Sequence, residues 1–111
     1  WQACLAEMDA ASLAGHFHNT YGMAIANIYQ SLEQGIRVFD SSIAGLGGCP
    51  YAKGASGNVS TEDLYYLLSN MGYDTGIDLD ALMIASQNIS QVLQRTNPSN
   101  YANAYWQKRC A

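Results

Sequence analysis

Residues 12–40 read SLAGHFHNTYGMAIANIYQSLEQGIRVFD, and this stretch decides the fold class. Its first part, residues 12–17, is a short apolar run bounded by turn-forming residues, which predicts a buried strand. From 21 to 34 the apolar side chains recur at helical spacing, and the β-branched and aromatic residues of 36–40 predict a second strand. Because residues 1–10 have helical composition, the order is helix, strand, helix, strand, which is typical of an α/β fold with a parallel sheet.

The remainder of the chain divides into a loop, two helices and a tail. Residues 41–59 read SSIAGLGGCPYAKGASGNV, with five glycines and one proline, and predict an irregular, exposed loop of a length that is often functional. Apolar stripes at helical spacing predict two helices over 60–94, the first opened by a weak capping box of Ser60 and Asp63. The polar residues 95–111 predict a peripheral tail.

Composition excludes several classes of protein. The 111 residues allow one domain at most, and 49% hydrophobic residues with a net charge of −4 are too apolar and too weakly charged for a disordered chain. No run reaches the roughly 18–20 apolar residues of a membrane span. The acidic balance argues against nucleic acid or an anionic membrane as partner. Three cysteines without CxxC spacing are not a disulfide framework, which favours a reducing, intracellular compartment.

The two histidines of the chain are the first candidates for chemistry. His16 and His18 lie two residues apart on the first predicted strand, so both side chains face the same side. They lie at the carboxyl end of that strand, where ligands bind in α/β sheets, and their spacing suits a shared metal ion. The alternative is that one histidine caps the following helix while the other packs in the core.

Three further residues carry candidate functions, each with a plainer alternative. Cys49, in the glycine-rich loop, is a candidate nucleophile or proton donor, or else an incidental surface thiol. Asn58 could offer a carbonyl oxygen to a hard cation, although turns and caps use the same residue type. Glu62, four residues further on, is equally explained as an acid favoured by the dipole of the following helix.

Two segments resemble one enzyme family, the hydroxymethylglutaryl-CoA lyases. Residues 42–51, SIAGLGGCPY, resemble the active-site signature SVAGLGGCPY of these enzymes, with Ile43 as the single departure. The following GASGNVSTED of residues 54–63 also resembles the lyase. Upstream, HFHNTYG at 16–22 resembles the HxHDTYG segment of the same family, with Asn19 in place of the usual Asp. The resemblance covers nearly the whole chain and fades after about Arg95.

The resemblance implies a fold and a set of site residues. The fold is a TIM (β/α)8 barrel of the metal-dependent lyase and Claisen-condensing group, with 12–17 and 36–40 as its last two strands and extra helices after them. His16, His18 and Asn58 are then ligands of Mg²⁺ or Mn²⁺, Cys49 is the proton donor, and Glu62 supports the site. Since such a barrel takes about 250 residues, we expect this chain to be the C-terminal portion of a longer enzyme, inactive when isolated.

The reaction implied by the resemblance is cleavage of 3-hydroxy-3-methylglutaryl-CoA to acetyl-CoA and acetoacetate. The expected partner is this acyl-CoA, with neither nucleic acid nor membrane, in a full-length enzyme that is a possible homodimer. The expected compartment is the bacterial cytoplasm or the mitochondrial matrix. Two alternatives stay open, a lyase for a related 3-hydroxyacyl-CoA and a non-catalytic metal-binding or interaction module, and no general base is assigned.

Overall fold

The computed structural model describes residues 1–48 and 56–110, which form five α-helices and two strands. In chain order they are α1 (Gln2–Glu7), β1 (Ala14–His16), α2 (Ala24–Glu33), β2 (Val38–Asp40), α3 (Thr61–Asn70), α4 (Leu79–Val92) and α5 (Asn100–Cys110). The predicted alternation of helix and strand over the first forty residues is therefore present. Each strand is only three residues long, because each pairs with a single neighbour over that length.

The two strands pair in parallel, with α2 as the crossover between them. Parallel neighbours cannot be joined by a hairpin, so an intervening helix is the expected connection. Gly15 lies opposite Phe39 in the register, and a Cβ at Gly15 would lie 2.8 Å from the Phe39 ring. Glycine therefore allows the aromatic ring to lie across the strand. The same register places His16 opposite Asp40, so the carboxyl ends of both strands reach one edge of the sheet.

The core lies between α2, α3 and the residues that precede α3. Its fully or nearly buried members are Ala24, Ile28, Leu32, Val59 and Leu64. The first three share one face of α2 at the spacing that predicts an amphipathic helix. Burial of a side chain such as Ile28 contributes about 1.5–3 kcal/mol, so this stripe is what fixes α2 against the end of the loop.

Helix α3 is capped by Ser60 as its sequence predicts, but the side chain of Asp63 bonds to α5 and does not complete a capping box. The Ser60 hydroxyl accepts a hydrogen bond from the Asp63 backbone N–H at 3.2 Å, which is one half of a capping box. The Asp63 carboxylate accepts from the Ser99 hydroxyl at 2.8 Å and from the Tyr101 backbone N–H at 2.9 Å. Asp63 therefore ties the start of α5 to the start of α3.

The expectation of a peripheral tail at 95–111 is corrected by this arrangement. Helix α5 occupies most of it, with Ala102 buried and the rings of Tyr66 and Tyr101 4.7 Å apart. The helix has no apolar stripe for a sequence pattern to reveal. Its first turn is held instead by hydrogen bonds donated to the Asp63 carboxylate. Among the described residues, no helix is both long and apolar enough to cross a bilayer.

A candidate metal centre at the ends of the strands

His16 ends β1 with its imidazole beside a carboxylate from the neighbouring strand. Its Nδ1 lies 3.2 Å from Oδ2 of Asp40, the residue that faces it in the parallel register. A carboxylate accepts hydrogen bonds, so this contact favours the tautomer with the proton on Nδ1 and the lone pair on Nε2. Nε2 of His16 is then available to bind a cation.

His18 lies two residues further on, and its ring is oriented by the backbone of the loop. Its Nδ1 lies 3.2 Å from the carbonyl oxygen of Ser56. A carbonyl oxygen can only accept, so Nδ1 carries the proton in the neutral ring and Nε2 keeps its lone pair. The centroids of the His16 and His18 rings are 5.4 Å apart, as the alternation of side chains along a strand leads one to expect. The two imidazoles therefore share one side of the sheet edge.

Asn58 lies alongside His18, because the two residues form an isolated antiparallel bridge through their backbones. The side-chain nitrogen Nδ2 donates to the carbonyl oxygen of Leu46 at 3.0 Å. The side-chain oxygen Oδ1 is buried and accepts no hydrogen bond from the part of the chain that the structure describes. A buried oxygen without a partner costs about 1–3 kcal/mol, and a bound cation would satisfy it.

The described ends of the glycine-rich loop meet next to Asn58, and we call the residues 45–48 and 56–58 the loop neck. Gly45 and Gly47 have φ of 60° and 96°, in the left-handed region that favours glycine. A Cβ at Gly57 would lie 1.9 Å from the carbonyl oxygen of Gly45. Three glycines therefore allow the two backbones to approach closely enough for Asn58 to bond Leu46.

Glu62 is fully buried, and its carboxylate holds the short 3-10 turn Ile43–Gly45 that leads into the loop neck. Both of its oxygens accept from the backbone N–H of Ala44, at 3.0 and 3.1 Å. Ala44 itself has φ 54°, a strained conformation for a residue with a Cβ. Glu62 also accepts from the hydroxyl of Ser86 and, at 3.4 Å, from Nδ2 of Asn97. The structure thus brings Glu62 to the base of the loop and gives it no hydrogen bond to either imidazole.

The structure brings together three of the five residues that the sequence predicted for the site. His16, His18 and Asn58 are adjacent, Glu62 lies behind the turn, and Cys49 lies outside the described residues. Within the described ranges, no three His, Cys, Asp or Glu side chains converge to form a metal site by themselves. Two imidazole nitrogens and one amide oxygen are a partial ligand set that fits a divalent cation such as Mn²⁺ or Mg²⁺, with further ligands supplied from elsewhere.

Four residues with a part in this arrangement were not among the predicted site residues. They are Asp40, Ser56, Ser86 and Asn97. Asp40 carried a usable signal, because the last residue of a strand beside a histidine-bearing strand shares its edge of the sheet. The other three are joined to their partners only by the tertiary fold, and no local pattern marks them.

Parallel strands joined by a crossover helix, with imidazole and carboxylate side chains at the carboxyl ends of the strands, are typical of α/β barrel proteins. The family model described as HMGL-like matches residues 2–89, and the chain belongs to this family. The chain is 57% identical over 99 residues to the hydroxymethylglutaryl-CoA lyase of Pseudomonas mevalonii, covering 89% of this chain and 33% of that protein. It is 51% identical to the mitochondrial enzyme of Homo sapiens, covering 92% of this chain and 31% of that protein.

Solved structures agree with the sequence comparison. The crystal structure of hydroxymethylglutaryl-CoA lyase from Pseudomonas aeruginosa matches with a TM-score of 0.91 and 56% identity, covering 96% of this chain and 36% of that one. The prediction of a partial TIM barrel is confirmed by this match. The chain spans about a third of the length of the curated relatives it matches.

Proposed function

We propose that the protein containing this chain cleaves 3-hydroxy-3-methylglutaryl-CoA to acetyl-CoA and acetoacetate with the help of a divalent cation. Support comes from the relatives that carry this activity in their names, at up to 57% identity. A further solved relative, matching with a TM-score of 0.85, is a lyase in complex with coenzyme A and 3-methylmalate. An acyl-CoA is accordingly the proposed class of substrate.

The observation that carries the proposal is the buried Oδ1 of Asn58, which accepts no hydrogen bond from the described residues. Asn58 bridges His18 through the backbone, and the contacts of His16 and His18 engage Nδ1 and leave Nε2 to bind a cation. We assign His16, His18 and Asn58 as ligands of the cation, Mg²⁺ or Mn²⁺. When bound, the cation would supply a positive charge that stabilises the alkoxide of the substrate. The remaining ligands and the acyl pocket would come from the other two thirds of an enzyme of the relatives' length.

The proposed reaction breaks one carbon–carbon bond and moves two protons. A base takes the proton of the C3 hydroxyl, and the C2–C3 bond breaks as the C3 oxygen becomes the ketone of acetoacetate. The electron pair of the broken bond stays on C2 as a thioester enolate. The Cys49 thiol then gives its proton to C2 and completes acetyl-CoA, a role proposed on the resemblance of its loop to the lyase signature.

Glu62 has a supporting role in this proposal rather than that of a proton carrier. Its carboxylate is engaged with Ala44, Ser86 and Asn97, so its contribution is to hold the turn from which the loop neck starts. The loop neck in turn contains Ser56 and Asn58, which touch or belong to the ligand set. Loss of Glu62 would then act on the site through the position of the loop.

A second candidate keeps the chemistry and enlarges the acyl group. The chain is also 57% identical to a Pseudomonas aeruginosa protein named 3-hydroxy-3-isohexenylglutaryl-CoA/hydroxy-methylglutaryl-CoA lyase, of which it covers 34%. This name describes a longer branched acyl chain at the same carbon. The ratio of kcat/KM for the two acyl-CoA substrates decides between the candidates.

The test is a lyase assay on the full-length gene product with each substrate, before and after chelation and with Mg²⁺ restored. We expect activity to disappear with chelator, to return with the cation, and to fall by about 10²–10⁴-fold in Cys49→Ala. Cys4→Ala is the matched control, because Cys4 lies on the exposed side of α1. Full activity after chelation, or full activity of Cys49→Ala, would refute the mechanism. A protein that binds the cation without cleaving either substrate would instead be a non-catalytic module.

We also propose that the full-length protein is a homodimer, and we propose a compartment for it. The relatives include bacterial enzymes and eukaryotic enzymes named mitochondrial or cytoplasmic. We propose the cytoplasm for a bacterial source and the mitochondrial matrix for a eukaryotic one. Fractionation of the source cells and light scattering on the full-length protein measure these two properties directly.

A further inference from the structure

We propose that Asp40 is a positioning residue for His16, which fixes the tautomer and the orientation of this imidazole for cation binding. The inference rests on the proposed function, because it assigns a task within the same site. It starts from one contact, the 3.2 Å between Nδ1 of His16 and Oδ2 of Asp40. Asp40 itself is given no place among the ligands.

The sheet itself creates this contact. His16 and Asp40 are register partners and are the last residues of β1 and β2, so their side chains extend side by side from the same edge. Neighbouring strands lie about 4.7–4.9 Å apart, which is within the reach of an imidazole and a short carboxylate.

Both groups are largely exposed in this chain, which spans about a third of its relatives' length. The side chains of His16 and Asp40 are 55% and 64% accessible. An ion pair in water contributes only about 0–1 kcal/mol to stability, so the fold gains little from this contact. What the carboxylate does supply is an acceptor for Nδ1–H of His16, which leaves the Nε2 lone pair pointing away from Asp40.

The ring of His18 is oriented in the same way, but by a backbone carbonyl instead of a carboxylate. His18 donates from Nδ1 to the carbonyl oxygen of Ser56, so both rings keep the Nε2 lone pair free. One ring is held by the backbone of the loop neck and the other by a side chain of the sheet. Only the second of these partners can be removed by substitution, which makes Asp40 the testable half of the pair.

The test measures Mn²⁺ binding and the histidine tautomer in the full-length gene product. Partners of this kind typically affect metal affinity by about 10–100-fold, so we expect Asp40→Ala to raise the Kd for Mn²⁺ by about that factor. Asp40→Asn, which retains an acceptor oxygen without the charge, should lie between Asp40→Ala and the wild type. Asp74→Asn is the matched control, since Asp74 is an exposed turn residue that accepts from the Gly76 backbone N–H.

The tautomer is read from long-range ¹⁵N–¹H spectra of the metal-free protein labelled at histidine, at a pH where the rings are neutral. We expect Nδ1–H for His16 in the wild type and a shift toward Nε2–H in Asp40→Ala, whereas His18 stays unchanged. A Kd for Asp40→Ala within about twofold of the wild type would overturn the inference. A weaker affinity with an unchanged His16 tautomer would also overturn it, because Asp40 would then act as a ligand itself.

The same titration distinguishes this inference from the proposed function. If His16→Ala binds Mn²⁺ as tightly as the wild type, the proposed cation site is wrong, and the role of Asp40 falls with it. If His16→Ala loses the cation and Asp40→Ala retains it, the site stands and only the positioning role is refuted. Thermal melts of each variant confirm that the fold is intact at the temperature of the titration.

Discussion

Substitution of Glu62 separates a group that holds the loop from a group that carries a proton. In Glu62→Ala, the Ala44 N–H and the Ser86 hydroxyl lose their buried acceptor. Each buried donor left unsatisfied costs about 1–3 kcal/mol, so the two together cost about 2–6 kcal/mol before any cavity is counted. Against a typical total of about 5–15 kcal/mol, this loss is large. Glu62→Gln retains the shape and one acceptor oxygen, and we expect it to cost about 1–3 kcal/mol.

The assay combines urea denaturation with kcat and Mn²⁺ affinity for the full-length gene product. Because Glu62 makes no described hydrogen bond to His16 or His18, we expect Glu62→Gln to bind Mn²⁺ as the wild type does. A lost general acid or base lowers the rate by about 10²–10⁴-fold, whereas we expect Glu62→Gln to lose less than about tenfold in kcat. Glu33→Gln on the exposed side of α2 is the control.

One outcome would refute this reasoning about Glu62. It is a Glu62→Gln enzyme as stable as the wild type whose kcat falls by more than about 10²-fold, the size of a lost proton-transfer group. Glu62 would then take part in the chemistry, and its buried contacts with Ala44 and Ser86 would be incidental. A loss of stability with kcat nearly retained is the result expected from the geometry.

Three further predictions concern the loop neck and α5. Gly57→Ala should lower stability by more than about 1–3 kcal/mol in a thermal melt, because its Cβ would lie 1.9 Å from the Gly45 carbonyl oxygen. Gly48→Ala is the control, since a Cβ there meets none of the described residues within 4 Å. Asp63→Ala should cost about 0.5–2 kcal/mol through the lost cap of α5, with reduced helical ellipticity; an unchanged melting curve would contradict this. Burial, with repulsion from neighbouring tyrosines, raises the pKa of Tyr101 above its ordinary 10.0. The neutral Tyr101 phenol therefore contributes stability below pH 10, and this stability is lost as the pH rises through the raised pKa. An ultraviolet titration in which all tyrosines ionise together at pH 10 would contradict the raised pKa of Tyr101.

The features predicted correctly from the sequence are those that local geometry determines. The alternation of His16 and His18 follows from the pleat of a single strand, and the amphipathic spacing of α2 follows from a single helix. The capping role of Ser60 is equally local. Asn58 needed more than geometry, since its pattern alone predicts a turn residue and only the resemblance proposes it as a ligand.

The features that the sequence did not reveal depend on contacts across the fold. Ser86 and Asn97 are polar residues far from Glu62 in sequence, and no period or motif joins them to it. The sequence pattern did not predict helix α5, because its residues, NYANAYWQKRC, form no apolar stripe. The contact of Asp40 with His16 required the register of two parallel strands, which composition does not determine.

The central claim is that the imidazole pair and Asn58 hold a divalent cation, and Mn²⁺ binding to Asn58→Ala tests it most directly. Removal of Oδ1 should weaken binding in the full-length gene product by at least about 10-fold, given how strongly even outer partners of a metal site act. Asn70→Ala, on the exposed side of α3, should bind as the wild type does. Equal affinity for Mn²⁺ in Asn58→Ala and Asn70→Ala would contradict the account.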